Sequence, residues 1–79
     1  MNKETQEHKR YLENQLQQAK QQDQILAQIE EKLYKMKEIA EFARDFQLSM
    51  SERNKLNTRI NDLKVEVSLL EKKLQPTVH

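Results

Sequence analysis

The hydrophobic positions of residues 51–75 recur with a single period. Leu56, Ile60, Leu63, Val67, Leu70 and Leu74 are spaced 4-3-4-3-4, and the opposite side carries Arg, Asn, Lys, Glu and Ser. Such spacing predicts a helix with one apolar seam, as in a coiled coil or bundle. A second stripe crosses residues 25–47: Ile29, Leu33, Met36, Ala40 and Ala43 recur at 4-3-4-3, with Ile25 and Leu26 just before them. This too is an amphipathic helix by period. Residues 1–24 are thinner in apolar content. Leu12, Leu16 and Ala19 begin a 4-3 spacing that meets Asp23 where an apolar residue is due. Continued from Ala19, that stripe would run through 23, 26 and 30, whereas the next one runs through 26, 29 and 33. One step is lost, and a register break of the stammer type is expected near 19–26.

The chain contains no glycine, and its one proline is Pro76. These two residues most often end helices, so the sequence is free to be helical over nearly its whole length. The break between the two main stripes is read at about 45–50. Asp45 is unfavourable near the negative end of a helix dipole. Ser49 followed by Glu52 has the spacing of a capping box, with Ser51 a competing cap. A short connection makes the neighbouring helices antiparallel. The second helix, about 25 residues long, would span roughly 38 Å, leaving the first ~20 residues of the chain without an intrachain partner. The expected fold is therefore all-α: an antiparallel two-helix hairpin of coiled-coil type, dimerising into a helical bundle. Its parts are a polar, glutamine-rich helical extension (1–24), the hairpin (25–75) and a frayed tail (76–79).

Charge narrows the function classes. Charged residues make up 34% of the 79 and the net charge is +1, with acids and bases interleaved. This reads as solvated helix faces, and no nucleic-acid partner is expected: the basic pairs Lys9-Arg10 and Lys72-Lys73 lack flanking aromatics. No apolar run approaches the ~20 residues a membrane span needs. The N-terminus MNKETQEHKR shows no apolar signal core. A cytoplasmic, bacterial-type protein is the expectation, with signal-less export the one alternative. Cysteine is absent, so disulfides and thiolate–metal sites are excluded. His8 and His79 lie at opposite ends of the chain. Glu4 and His8 share one helical turn, and Glu30-Glu31 has no histidine near it in sequence; none of these makes a metal or acid–base site. Without glycine there is no phosphate-cradling loop. No catalytic residue, cofactor or small-molecule substrate is expected, and the chain reads as a non-enzyme.

Apolar residues outside the seams carry the remaining information. Ile39, Phe42 and Phe46 form a line beside the first seam. They either widen the core near the turn, with Leu48 and Met50, or make a patch for another chain. Val65 and Leu69 form an i, i+4 pair on the polar side of the second helix, and Tyr34 lies nearly opposite the first helix's seam. A two-helix hairpin has only one shared interface. These outward residues therefore mark candidate surfaces for a protein partner or a second copy, with a homodimer of hairpins the simplest assembly.

Residues 33–70, LYKMKEIAEFARDFQLSMSERNKLNTRINDLKVEVSLL, resemble the N-terminal helical segment of bacterial flagellins. Glu38-Ile39-Ala40 falls on the family's E-L-A element, and Lys35 and Lys37 stand where it has basic residues. Ser51-Glu52-Arg53 falls on the start of the second helix, and Leu56, Ile60, Leu63, Glu66 and Val67 follow its pattern. The resemblance implies a piece of a rod-like core domain, with Lys35 and Ile39 at positions that in flagellins contact an innate immune receptor. Phe46-Gln47-Leu48 departs from the family's polar turn, and residues 1–24 do not resemble its N-terminus. The family's C-terminal partner helices have no counterpart in this chain. Two functions follow as expectations: a flagellin-like structural or assembly-accessory module, or a small regulator or chaperone-like adaptor that takes up a partner's amphipathic helix. A nucleic-acid-binding regulator is a weaker third.

Overall fold

The computed structural model describes residues 2–74, and the tail expected at 76–79, with His79, lies outside them. The chain forms two helices, α1 (Lys3–Asp45) and α2 (Met50–Lys73), packed as an antiparallel hairpin. The molecule is a rod of 70 × 20 × 18 Å with a radius of gyration of 20.2 Å. A compact chain of this length would have a radius near 12 Å.

α1 is one uninterrupted helix of 43 residues. It begins at a cap that uses two of the first five residues: Asn2 Oδ1 accepts from the Thr5 backbone N–H at 2.8 Å and from the Thr5 hydroxyl at 2.9 Å. At its other end Phe46 turns extended, at φ −121° and ψ 143°, while its N–H still donates to the Phe42 carbonyl. Arg44 turns its guanidinium onto the Asp45 carboxylate at 2.9 Å, which offsets an acid at the negative helix end. α2 starts at a capping box. Ser49 Oγ accepts from the Glu52 N–H at 3.2 Å, and Glu52 Oε1 accepts from the Ser49 N–H at 3.4 Å and from the Ser49 hydroxyl at 2.9 Å. Ser51 lies inside α2 and does not cap it. The bend is made without any residue at positive φ among those described. A chain without glycine thus reverses through extended backbone at Phe46 and Ser49 and one side-chain cap.

Packing is thin. Among the described residues only Ile29, Leu63, Val67 and Leu70 are buried, and Leu63 alone is completely shielded. Ile29, Val67 and Leu70 form one cluster, with Ile25 and Leu74 packed against it. On α2, Leu56 and Ile60 complete the inward line half-buried. The cluster fixes where the hairpin ends: α2 reaches α1 near Ile25. Residues 3–21 of α1 are all exposed.

On α1 the inward line differs from the expected one. Ile25, Ile29, Lys32, Met36, Ile39 and Ala43 are buried or half-buried, while Leu33 and Ala40, read as seam positions, are exposed. The reason is geometric. Ile25 and Ile39 extend the apolar surface to one side of the stripe drawn through Leu26, Ile29, Leu33, Met36, Ala40 and Ala43, and α2 packs on that side of the stripe. Its members 29, 36 and 43 face α2. Its members 26, 33 and 40 belong to a separate line about a sixth of a turn away. Lys32 takes the vacated inward place because its stem lies along apolar surface while its ammonium reaches Glu66 of α2 at 3.4 Å. No register break is needed: the lines lie side by side on one continuous helix.

Candidate interaction surface

Leu12, Ala19, Leu26, Leu33 and Ala40 stand seven residues apart and are all exposed. Together they form a line along one side of α1 that begins on the overhang and runs the length of the hairpin. Leu16 joins it one turn after Leu12. Where alanine replaces leucine the surface dips, and a shallow groove forms between Gln15, Gln18, Ala19, Gln22, Asp23 and Leu26. Sequence reading missed this surface because it assigned Leu33 and Ala40 to the hairpin seam. The signal was present as an unbroken seven-residue repeat in the sequence.

The individually expected contact residues divide into three groups. Ile39 is half-buried on the α2-facing line and is not an outward residue of the hairpin. Phe42 and Phe46 are exposed and stack on each other, with ring centroids 4.6 Å apart at 29°. They make an aromatic step at the hairpin tip, next to the half-buried Leu48, while Met50 is 80% exposed. Tyr34, Val65 and Leu69 are exposed on their helices. Val65 and Leu69 sit on the side of α2 turned away from α1, opposite the buried Leu63 and Val67. They are some distance from the Phe pair, so the structure gathers the outward residues into an α1 line, an α2 back face and a tip.

Electrostatics is local. Lys9–Glu13, Lys35–Glu31 and Lys37–Glu41 are i, i+4 pairs at 4.0, 3.2 and 3.8 Å, each contributing a few tenths of a kcal/mol to helix stability. Lys35 is therefore already engaged within α1. Lys32–Glu66 is the one salt bridge joining the helices among the described residues. Those residues include no group of three or more His, Cys, Asp or Glu able to hold a metal ion. None of the described helices is long and apolar enough to cross a membrane. No protein-family model, curated protein or solved structure matches the chain.

Proposed function

We propose that this protein is a non-enzymatic coiled-coil module whose work is to hold other polypeptide helices against α1. The observation that carries this is the exposed line from Leu12 to Ala40. Burial against α2 uses one side of α1, and the apolar surface continues past it onto a second side. An apolar band wider than one partner helix can cover is the pattern of a helix with two neighbours.

Two versions of this function are distinguishable. In the first, the chain is a flagellin-like structural or assembly-accessory module. Its support is the bend at 46–49, which falls where the resemblance over 33–70 puts the family's turn. In the second, it is a cytoplasmic adaptor or chaperone-like regulator, supported by the overhang of α1. Leu12, Leu16 and Ala19 offer a ready helix-docking edge there, outside the reach of α2. Capture on the immobilised full chain separates them. Flagellar or export-apparatus proteins retained by the wild type, and lost with Leu33→Glu, support the first. A regulatory enzyme or transcription factor lost with Leu12→Glu supports the second. Capture that neither substitution weakens would remove α1 as the working surface.

A further inference from the structure

The α1 line needs an occupant, and its charged neighbours say which one. Asp23, Glu30 and Lys37 alternate with Leu26, Leu33 and Ala40 along the same side of α1. Pairing this side with itself in parallel sets each of these charges against its own copy. Antiparallel self-pairing centred on Leu26 brings Asp23 toward Glu30 of the other chain. Both of these oppose like charges, and antiparallel self-pairing centred on Leu33 instead brings Glu30 toward Lys37 but leaves the exposed Val65 and Leu69 of α2 uncovered. The back of α2 is different. Reading it backwards gives Lys72, Leu69, Val65 and Asp62, spaced as one outward stripe. Reading α1 forwards gives Glu30, Leu33 and Lys37. Laid antiparallel, Glu30 meets Lys72, Leu33 meets Leu69 and Val65, and Lys37 meets Asp62. Parallel placement would instead set acid on acid and base on base. Among the described residues Glu30, Asp62 and Lys72 have no ion-pair partner within the chain. Leu33, Val65 and Leu69 are 49%, 59% and 54% exposed.

We infer that a second copy of this chain occupies the α1 line, docking the back of its α2 there. The neighbour is shifted by about one helical turn from the pairing inside the hairpin, where Lys32 meets Glu66. The contact joins two different faces, so each copy keeps one face free for the next, and assembly proceeds head to tail.

The inference rests on the interaction reading above and has its own test, by sedimentation and light scattering of the full chain. Wild-type mass should rise with concentration beyond that of a dimer. Leu33→Glu and Leu69→Glu should each abolish this rise with helicity unchanged. Mixed in equal amounts, the two variants should form a complex of two chains and nothing larger, because each retains the face the other lacks. Glu30→Lys should weaken assembly roughly tenfold, and Lys72→Glu added to it should restore most of that loss. Wild-type assembly by Leu69→Glu, a mixture that stays monomeric, or a double charge reversal as weak as the single one would each overturn the inference. So would a wild type monomeric at every concentration; if that protein still captured a partner through α1, the interaction reading would survive the loss of self-assembly.

Discussion

Leu63 and Leu33 both look like seam leucines, yet Leu63 is 0% exposed and Leu33 is 49% exposed. Asp at position 63 would place an unpaired charge between the helices, at a cost of several kcal/mol. In a hairpin with so few buried side chains, Leu63→Asp should unfold the protein at room temperature by circular dichroism. Leu33→Asp should keep its helicity. Equal loss in both variants would show that Leu33 is inside after all. The difference was legible only in part. On α2 the inward positions could be read directly, because Leu, Ile and Val occupy all of them but that of the half-buried Glu66, and Arg, Asn and Lys flank them. On α1 a lysine holds one inward position and leucines hold outward ones. A lysine carries no inward signal by residue type, and the place of Lys32 between the helices shows only in its half-buried side chain and its contact with Glu66.

At the scale of the element, the bend depends on one side chain. Ser49 supplies the Oγ that receives the Glu52 N–H, and Glu52 returns a bond to the Ser49 N–H. Phe46 to Ser49 has no glycine to stabilise a left-handed cap, and no described residue adopts one. Ser49→Ala should therefore cost about 1 kcal/mol and lower the thermal midpoint by several degrees. Ser51→Ala, one half-turn later, should leave the midpoint within a degree or so of wild type. A reversed order in differential scanning calorimetry would move the cap to Ser51. Ser49 and Glu52 made the bend readable from the sequence, because a capping box is a local signal of fixed spacing. Continuity of α1 was less readable. Asp23 interrupts one line of Leu12, Leu16 and Ala19 but not the helix, since an exposed aspartate is tolerated wherever the backbone bonds are made within the helix. The Asn2–Thr5 cap lay in plain view in the first five residues and went unread.

At the scale of the molecule, α1 has two regimes. Over Ile25–Ala43 its backbone is held by packing against α2 as well as by its own hydrogen bonds. Over residues 3–21 every side chain is exposed, so only local propensity, the Lys9–Glu13 pair and the Asn2 cap maintain the helix. An isolated helix of roughly 20 residues is marginal in water and frays inward from its free end. Hydrogen exchange on the dilute, monomeric chain should show this as a gradient. Amides near Leu63 and Ile29 should exchange only through unfolding of the whole hairpin, and those of Tyr11–Gln18 far faster, through fraying. Raising the concentration then separates two places for a neighbour. Docking on the hairpin section, with Leu33 against Leu69, should slow exchange around Glu30–Ala40 and leave Tyr11–Gln18 fast. A neighbour lying along the overhang would protect Tyr11–Gln18 first. That second outcome would move the contact to the Leu12–Ala19 end of the line, where the free length of α1, rather than the charges beside the hairpin, would set the geometry of assembly.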